Sequence, residues 1–484
     1  MHYVRPRRTK IVATLGPATD DPSVLDAMLA AGVDVVRLNL SHDTHDCHRA
    51  RAELLRERAE AAGRQVGLLI DLQGPKIRIG RFAHGPIELF RGERFAIDTD
   101  CPLDGGDQMR VGTTLESLVE DVVPGDTLLL DDGAIELKVE QIASRRIDCS
   151  VVVGGTLSNS KGINKKGGGL SAPALTDKDK TDILFAAEID ADYLAISFVN
   201  NGDDVRLARE LFREAGGKGG IVSKIERAEA LRALDDIIEA SDAVMVARGD
   251  LGVEIGDAEL PAVQKSLIPM ARDRNNVVIT ATQMMQSMID NPIPTRAEVF
   301  DVANAVIDGT DAVMLSAESA IGKNPPKVVE ALDRICREAE KYTRRSAHRI
   351  DSVFGRVDEA IAMATMYTAN HLGVKAIAAL TESGSAVKWM SRISSGIPIY
   401  AMTRQVATRR KVTLFRGVYP VAFEVDNANI HQVNRDVIEE LLRRGTVREG
   451  DLVIITKGDR IGVEGQTNIM KIMRVGEHKL LAQD

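Results

Sequence analysis

Residues 243–252 read AVMVARGDLG, an apolar run that ends abruptly in charged residues and glycine. Other short apolar runs follow the same plan, and most of them also end in polar groups: TKIVATLG (9–16), VDVVRLNLS (33–41), VGLLIDLQG (66–74), ADYLAISFV (191–199), GGIVSKIER (219–227), NVVITATQM (276–284) and GTDAVMLSAES (309–319). Strands of a parallel sheet are buried on both faces and therefore read as nearly continuous Val, Ile, Leu and Ala. Eight such strands alternating with helical segments predict an α/β protein built on a (β/α)8 TIM barrel, whose active site lies at the C-terminal ends of the strands.

Bulk composition excludes several classes of protein. A chain of 484 residues is too long for one hydrophobic core, so more than one domain is expected. The net charge of −9 argues against nucleic acid as a partner, because phosphate backbones are bound by basic surfaces. No apolar stretch is long enough for a membrane span or a signal peptide, and the four cysteines are scattered without paired spacing. We therefore expect a cytoplasmic protein with no membrane partner.

Changes in residue composition and pattern along the sequence divide the chain into three units. Residues 74–171 separate the third predicted strand from the fourth and contain short strand patterns punctuated by Gly, Pro and Asp-Gly. We interpret them as a small β domain inserted into a barrel formed by residues 1–73 and 172–343. A basic stretch at 344–349 is interpreted as a linker. Alternating helix and strand patterns then predict a C-terminal α/β domain over residues 350–484.

Polar side chains at the ends of the predicted strands carry the functional signal. They are Arg37, Asn39 and Ser41; Asp71; Lys224 and Glu226; Arg248 and Asp250, on either side of Gly249; Thr282; and Ser316 and Glu318. Strand residues two apart face the same way, so these groups should converge on one opening of the barrel. Carboxylates from separate strands suit Mg²⁺, and cations suit phosphate, which together indicate phosphoryl transfer. A purely structural ion pair remains the alternative for Lys224 with Glu226.

Several of these segments resemble pyruvate kinases, in order along the whole predicted barrel. They are TKIVATLGPA (9–18), RLNLSH (37–42), DLQGPKIRIG (71–80), SKIE (223–226), MVARGDLGVE (245–254), ATQMMQSM (281–288), PTRAEVFDVANA (294–305) and MLSAE (314–318). The resemblance implies transfer of phosphate from phosphoenolpyruvate to ADP, giving pyruvate and ATP, with Mg²⁺ or Mn²⁺ as cofactor. It also implies that the inserted domain is a small β-barrel lid and that the protein is a homotetramer.

The resemblance also implies a role for each strand-end residue. Glu226 and Asp250 would hold the divalent metal, and Lys224 would neutralise the phosphoryl group during transfer. The remaining roles are phosphate binding by Arg37; substrate-carboxylate binding by the backbone of Arg248, Gly249 and Asp250 with Thr282; protonation of the enolate through Thr282 and Ser316; and nucleotide binding by Asn39, His42 and Arg78.

One departure from the family pattern concerns K⁺. Many pyruvate kinases bind K⁺ through counterparts of Asn39, Ser41, Asp71 and Leu72, and carry Glu at the position of Lys76. Here Leu72 and Lys76 form the pair found in K⁺-independent relatives. A fixed ammonium can supply the positive charge that K⁺ would otherwise bring. We therefore expect that K⁺ is not required.

A small-residue loop in the C-terminal domain predicts an anion site. The sequence TESGSA (381–386) follows a predicted strand and precedes a helical pattern, and the resemblance implies that a phosphorylated allosteric effector binds Thr381, Ser383, Gly384 and Ser385. A simple capped helix start is the alternative. Because Glu382 adds negative charge to the loop, we expect a monophosphate (AMP or a sugar monophosphate) rather than a bisphosphate.

Three other interpretations remain open from the sequence alone. A metal-dependent aldolase or lyase on a related barrel would also use Glu and Asp to bind Mg²⁺ beside an enolate, but it would make no ATP. A catalytically inactive, effector-binding relative is a second alternative. The histidine-rich segment SHDTHDCH (41–48) could be a zinc site, although its spacing favours the capped start of a helix.

Overall fold

The computed structural model describes residues 6–342, 354–425, 430–459 and 465–477. The basic linker predicted at 344–349 lies outside the described residues. None of the helices in the described ranges combines the length and the apolar character that a bilayer-spanning segment requires.

The first part of the barrel contains the strands β1 (Lys10–Thr14), β2 (Val35–Asn39) and β3 (Gly67–Asp71), with helices α1 (Pro22–Ala31) and α2 (His45–Ala61) between them. Local sequence explains where both helices begin. The Asp21 carboxylate accepts a hydrogen bond from the Ser23 backbone N–H, and the Thr44 hydroxyl accepts one from Cys47 N–H, so each side chain satisfies a backbone donor that helix geometry leaves free. The histidine-rich segment therefore includes a helix cap, as its spacing indicated.

The segment between β3 and the next barrel strand is rich in short β-strands, as expected from its sequence. Its elements are β4 (Ile87–Leu89), β5 (Arg94–Asp98), β6 (Arg110–Val111), α3 (Leu118–Asp121), β7 (Thr127–Leu130), β8 (Ile135–Ala143), β9 (Arg146–Val153), β10 (Gly155–Leu157) and β11 (Ile163–Lys165). Within this fully described segment, six strands pair in the order β11-β7-β8-β9-β5-β6, and β10 pairs with β4. Asp131 and Asp132, with φ values of 51° and 53°, make the tight turn between β7 and β8.

The chain then returns to the barrel. Its elements are α4 (Asp177–Glu188), β12 (Tyr193–Ile196), α5 (Gly202–Glu214), β13 (Gly220–Ile225), α6 (Ala228–Arg232), α7 (Leu234–Ala240), β14 (Ala243–Ala247), α8 (Arg248–Ile255), α9 (Leu260–Asp273), β15 (Val277–Ala281), α10 (Arg296–Asp308), β16 (Ala312–Leu315), α11 (Ala317–Ala320) and α12 (Pro325–Ala339). In the described part of the chain, eight strands close into a parallel barrel in the order β1-β16-β15-β14-β13-β12-β3-β2. The predicted (β/α)8 barrel is confirmed.

The barrel strands alternate between two cores, as a side-chain period of two requires. Ile11 and Ala13 of β1 belong to the cluster that packs against the outer helices. Val12, between them, belongs to the cluster inside the barrel, together with Met245 of β14 and Ile279 of β15. This alternation fixes which strand-end side chains face the opening.

The C-terminal α/β domain is also confirmed. It contains α13 (Val357–Leu372), β17 (Ala376–Leu380), α14 (Ser385–Ser391), β18 (Ile399–Thr403), α15 (Val406–Lys411), β19 (Val418–Ala422), α16 (Ile430–Arg443), β20 (Leu452–Gly458) and β21 (Thr467–Arg474). The described strands form one sheet in the order β19-β18-β17-β20-β21, in which only β21 pairs antiparallel. The sequence did not indicate β21, because its polar and apolar residues give no clear strand pattern.

This domain covers the end of the barrel at which the strands begin. The Lys10 ammonium donates to the Val418 carbonyl at 2.6 Å, and the Tyr193 hydroxyl donates to the Lys411 carbonyl at 2.7 Å. Both Arg392 Nη atoms contact the fully buried Asp311 carboxylate, which precedes β16. The opposite end of the barrel, where the strands finish, therefore faces the inserted domain rather than the C-terminal domain.

Candidate active site at the C-terminal mouth of the barrel

Lys224 is the centre of a charged cluster inside the mouth of the barrel. It lies on β13, and its Nζ is 2.9 Å from Glu226 Oε1 and 2.7 Å from Ser197 Oγ. The same Nζ is 3.3 Å from Asp71 Oδ1, which is ion-pair distance without the geometry of a hydrogen bond. Asp71 and Glu226 are almost wholly buried. The mouth therefore holds an ammonium between two carboxylates from different strands.

Burial and charge oppose each other in this cluster. Burial by itself would lower the pKa of Lys224, but the charges of Asp71 and Glu226 outweigh it and raise the pKa to about 12. For Asp71 burial is again opposed by charge, and the cations Lys224 and Arg37 hold the pKa of its carboxyl below the usual value. Glu226 behaves differently: burial and the nearby negative charge of Asp250 raise its pKa despite Lys224. A cation placed between Glu226 and Asp250 would relieve that repulsion.

Arg37 reaches the same cluster from β2. Its Nε donates to Asp71 Oδ2 at 2.7 Å, and its Nη1 donates to Thr14 Oγ1 at 3.0 Å. The pairing of Asn39 with Asp71 in the sheet sets this contact, because it puts Arg37 and Asp71 at the same end of neighbouring strands. Arg37 is only 8 % exposed, so its guanidinium is held in place rather than moving freely in solvent.

The segment around Gly249 is the start of a helix that follows directly on β14. β14 ends at Ala247, and Arg248–Ile255 is a helix. Arg248, Gly249 and Asp250 therefore lie in the first turn of α8, and the side chains of Arg248 and Asp250 have separate surroundings. Arg248 is buried and donates to Asp301 Oδ1 at 2.7 Å, whereas Asp250 Oδ1 lies 3.2 Å from Lys76 Nζ. The strand ends one residue before Arg248, where the backbone becomes helical.

Thr282 sits opposite this helix start. The Gly249 backbone N–H donates to Thr282 Oγ1 at 2.8 Å, and the Arg248 guanidinium donates to the Thr282 carbonyl at 2.6 Å. Thr282 has a φ of 66°, an uncommon value for a β-branched residue. Such backbone conformations persist where the surrounding contacts over-determine them, which is common at functional sites. The structure thus brings Gly249 and Thr282 together, as predicted.

The metal-binding potential of the mouth rests on two carboxylates. No cluster of three or more Cys, His, Asp or Glu side chains suited to a metal ion occurs among the described residues. Glu226 and Asp250 are close enough for the charge of one to raise the pKa of the other. A hard cation that takes some of its ligands from substrate and water needs few protein ligands, as is usual for Mg²⁺. The donor set therefore fits Mg²⁺ or Mn²⁺ and does not fit a closed structural metal site.

Ser316 lies at the end of β16, beside a buried carboxylate. Its backbone N–H donates to Glu318 Oε2 at 2.7 Å, and the other oxygen of Glu318 accepts from Met285 N–H at 3.2 Å. Glu318 thus holds together the ends of β15 and β16 and has a positioning role. The Ser316 side chain remains half-buried at the mouth.

Of the residues predicted for nucleotide and K⁺ binding, Asn39, Ser41 and His42 lie at the rim, whereas Asp71 and Leu72 are buried. Asn39 Oδ1 accepts from Ser41 N–H at 3.2 Å, and both Ser41 and His42 are exposed. β2 ends at Asn39, so Ser41 does not continue the strand face of Arg37, contrary to the expectation from alternation. Leu72 is buried, and its carbonyl accepts from the Ser197 hydroxyl at 2.8 Å.

Arg78 lies within the inserted domain. Its guanidinium donates to the Ser160 carbonyl at 2.9 Å, and among the described residues no hydrogen bond or ion pair joins it to Arg37 or Lys224. The effector loop lies in the C-terminal domain, outside this mouth. There the Gly384 N–H donates to Thr381 Oγ1 at 3.0 Å, and the Ser385 hydroxyl donates to Asp358 Oδ2 at 3.3 Å.

Sequence reasoning missed several groups of the cluster. Ser197 contacts Lys224, the Phe198 backbone N–H donates to Glu226 Oε2 at 2.8 Å, and Thr14 contacts Arg37. Ser197 and Thr14 carried a detectable signal, because each is a hydroxyl residue at the end of an apolar run. The donation from Phe198 depends on its φ of 56° and had no signal in the residue type.

Glu254 is another buried carboxyl group, at the contact between α8 and the inserted domain. Its Oε2 accepts from Ala228 N–H at 2.9 Å and its Oε1 from Asn164 Nδ2 at 3.3 Å. Burial raises the pKa of Glu254 from 4.5 to about 7, and the charge of Glu229 adds to that effect. The folded protein thus binds this proton more tightly than the unfolded chain does.

The stability of the fold should therefore fall as Glu254 ionises. A raised pKa contributes stability that is complete below pH 4.5 and is lost as pH rises towards 7. Glu254→Gln cannot lose this proton, so its free energy of unfolding relative to wild type should improve by about 2–3 kcal/mol between pH 5 and pH 8. Urea unfolding followed by circular dichroism at both pH values measures this change. The exposed Glu259→Gln is the control, and a difference for Glu254→Gln that does not vary with pH would contradict the prediction.

Comparison with known proteins agrees with the geometry of the mouth. Residues 6–329 match the model of the pyruvate kinase barrel domain, and residues 359–473 match that of the pyruvate kinase alpha/beta domain. The chain is 54 % identical to pyruvate kinase II of Salmonella typhimurium over 97 % of this chain and 99 % of that protein. It is 41 % identical to pyruvate kinase of Mycobacterium tuberculosis, again over 97 % and 99 %. A crystal structure of a pyruvate kinase from Cryptosporidium parvum superimposes with a TM-score of 0.90 at 34 % identity, covering 97 % of this chain and 96 % of the other. The chain belongs to the pyruvate kinase family of phosphotransferases, whose general reaction converts phosphoenolpyruvate and ADP into pyruvate and ATP.

Proposed function

We propose that the cluster around Lys224 performs the phosphoryl transfer of this family, and that Glu226 and Asp250 hold the Mg²⁺ or Mn²⁺ ion that this transfer needs. The observation that carries the proposal is the Lys224 ammonium, held 2.9 Å from Glu226 and beside Asp71 in a buried mouth. When bound, the divalent ion neutralises charge on the substrate oxygens and orients them. Lys224 adds a compact positive charge next to that position, where a migrating phosphoryl group gains most from neutralisation.

Binding of the substrate carboxylate is assigned to the start of α8. The Gly249 N–H already donates to Thr282 Oγ1, so both groups face the same small space and could turn to a carboxylate placed there. Arg248 has a supporting role. Its guanidinium donates hydrogen bonds to the Thr282 carbonyl and the Asp301 carboxylate and so holds Thr282 in place. We assign enolate protonation to the route lined by the Thr282 and Ser316 hydroxyls. The proton donor itself stays unassigned.

The phosphate and the nucleotide are assigned to the other side of the mouth. Arg37 is buried and held by Asp71 and Thr14, which directs a fixed positive charge towards the phosphoryl group. The exposed rim residues Asn39 and His42 are assigned to ADP. Arg78 would join them only if the inserted domain closed over the mouth, which fits the proposal that residues 74–171 form a lid between barrel segments 1–73 and 172–343.

A homotetramer is supported by two separate apolar surfaces. On α10, Phe300 and Ile307 are seven residues apart, share one helix face and are 71 % and 49 % exposed. On α13 of the C-terminal unit (residues 350–484), Val357 and Tyr367 are also exposed. Two self-complementary interfaces on different domains would generate a closed assembly of four chains with dihedral symmetry. The cytoplasmic location stays a prediction based on the unpaired cysteines.

Regulation by a phosphorylated effector is assigned to the loop of Thr381, Ser383, Gly384 and Ser385. Gly384 has a φ of 82°, which lets the loop turn tightly with its N–H on Thr381. The Glu382 carboxylate accepts from Gln405 Nε2 at 3.1 Å, so its negative charge stays at the loop and favours a monophosphate over a bisphosphate. A capped helix start remains the alternative function of these residues.

The role of Lys224 is tested by Lys224→Met. The substitution should lower kcat by about a hundredfold to a thousandfold, because it removes charge stabilisation where the phosphoryl group passes. Binding of Mn²⁺, measured by electron paramagnetic resonance, should persist because both carboxylates remain. The readout is pyruvate formation from phosphoenolpyruvate and ADP, coupled to lactate dehydrogenase. Lys265→Met is the matched control, since Lys265 forms an exposed ion pair on an outer helix. A properly folded Lys224→Met enzyme with near-normal kcat would refute the assignment.

The K⁺ requirement is tested separately. Pyruvate kinases generally use Mg²⁺ and K⁺. We propose that Lys76 replaces K⁺ here, because its ammonium, 3.2 Å from Asp250 Oδ1, brings a fixed positive charge to the mouth. Wild-type activity in tetramethylammonium buffer should be close to that in KCl. The double variant Leu72→Thr/Lys76→Glu should become strongly K⁺-stimulated, and the exposed Lys166→Glu should not. Large K⁺ stimulation of the wild type would overturn the proposal.

A further inference from the structure

The contact between the barrel and the C-terminal domain buries several positive charges close together. The guanidinium groups there belong to Arg8, before β1; Arg272, in α9; Arg392, just after α14; and Arg416, just before β19. The buried carboxylates beside them are those of Asp311, which is 1 % exposed, and Glu340, whose side chain is 9 % exposed. Positive charge therefore exceeds negative charge at this domain contact.

Both carboxylates are already occupied by other donors. Asp311 contacts both Nη atoms of Arg392. Glu340 Oε1 accepts from the backbone N–H of Arg8 at 2.9 Å, and its Oε2 lies 3.4 Å from Arg8 Nε. Neither carboxylate is left to neutralise the other two arginines.

Within the described ranges, Arg272 and Arg416 have hydrogen bonds but no ion pair. Arg272 Nη2 donates to the Arg392 carbonyl at 2.7 Å, and Arg416 Nη1 donates to the Thr310 carbonyl at 2.7 Å. No carboxylate of those ranges lies within ion-pair distance of either guanidinium. The buried Arg416 Nη2 has no hydrogen-bond acceptor there either. Its N–H groups therefore point at a space that protein atoms do not satisfy.

Burial opposes the charge of both groups. It lowers the pKa of Arg272 to about 10, with Arg392 acting in the same direction and Asp311 and the exposed Asp273 opposing it. Burial also lowers the pKa of Arg416. Both groups still carry a proton at neutral pH, because a guanidinium holds its proton far more tightly than an ammonium does. A buried charge that can neither lose its proton nor find a partner is costly unless an anion completes it.

A cavity of about 20 Å³ lies where these groups meet, with Arg8, Arg272 and Arg416 in its lining. The other lining residues are apolar or carry hydroxyl groups, and none of these described residues is acidic. Ser394 is one of them. Its Oγ accepts from Arg272 Nη2 at 3.3 Å and donates to no other described residue, so its hydrogen can turn into the cavity. The volume is enough for one particle of about the size of water.

The chemistry of the lining selects among the occupants that the cavity could take. A water molecule would fill the space but would leave the two charges uncompensated. Phosphate, sulfate and organic carboxylates are much larger than the cavity. A halide of the size of chloride fits the volume, accepts hydrogen bonds from every donor around it and carries the missing negative charge.

We propose that this cavity binds one small monovalent anion, such as chloride, and that the anion ties the C-terminal domain to the barrel. Arg272 belongs to the barrel, whereas Arg416 and Ser394 belong to the C-terminal domain, so the anion contacts both. The site is independent of the effector loop and of the assignments at the Lys224 mouth. Removing the anion should weaken the domain contact, because it leaves neighbouring guanidinium groups to repel each other.

Bromide can take the place of chloride and scatters X-rays anomalously, so it locates the anion directly. Crystals of the full-length protein are soaked in sodium bromide, and data are collected at the bromine absorption edge. The expected result is an anomalous peak inside the cavity, within hydrogen-bonding distance of Arg416 Nη2 and Ser394 Oγ. Water-like density without anomalous signal in the cavity, or bromide only at the outer surface, would overturn the proposal.

Thermal unfolding tests whether the anion also binds in solution. Sodium gluconate is exchanged for sodium chloride at constant ionic strength, because gluconate is too large for the cavity and screening stays the same. The apparent Tm, at a fixed scan rate, should be constant below the Kd for chloride and rise by about 2 °C for each tenfold increase above it. A bromide peak in the crystal without this rise would mark an adventitious ion only and would contradict the inference.

Matched substitutions assign the effect to the cavity. Arg416→Gln and Arg272→Gln each remove one positive charge, from different domains, and should abolish the dependence of Tm on chloride. Arg213→Gln, at an exposed position of α5, should retain the wild-type dependence. A general salt effect on folding would persist in all three variants and would refute the inference. Because neither measurement uses catalytic activity, the result is distinct from any test of the proposed phosphoryl transfer.

Discussion

The ion pair of Lys224 with Asp71 and Glu226 is the constraint on which the mouth of the barrel depends. Burying a charged lysine side chain on a barrel strand is energetically unfavourable unless it has partners of opposite charge. Here the partners are the carboxylates of Asp71, on β3, and of Glu226, at the end of β13. Asp71 is shared with Arg37, so one buried carboxylate fixes cations from two other strands. Glu226 is left with a raised pKa because Asp250 lies near it. The cluster thus balances its cations but leaves negative charge where a divalent ion can bind.

The placement of the other domains follows from the same polarity of the barrel. All eight described barrel strands run in one direction, so their polar ends collect at one mouth and their beginnings at the other end. The inserted domain begins just after β3. It contacts α8 at the mouth through Lys76, which pairs with Asp250, and through Asn164, which donates to Glu254. The C-terminal domain packs on the opposite end through contacts such as Arg392 with Asp311. The proposed catalytic mouth and the C-terminal domain therefore lie at opposite ends of the barrel.

Much of this could be predicted from the sequence because parallel strands leave a strong pattern. The apolar runs located the barrel strands, and the spacing of two between Lys224 and Glu226 predicted a shared face. The pattern failed where the backbone leaves the strand, because Ser41 lies beyond the end of β2 and does not continue the face of Arg37. Contacts between residues distant in the chain, such as Lys76 with Asp250, have no local signature. Ser197 was overlooked because one hydroxyl at a strand end is a weak signal.

The central claim is that the carboxylates of Glu226, just after β13, and of Asp250, in α8, share one divalent ion beside Lys224. Anomalous X-ray scattering from crystals of the full-length protein grown with Mn²⁺ tests it most directly. The account predicts a single strong peak at the mouth, at bonding distance from both Glu226 and Asp250 and adjacent to the Lys224 ammonium. A peak held by other residues, or one bonded to neither carboxylate, would contradict it.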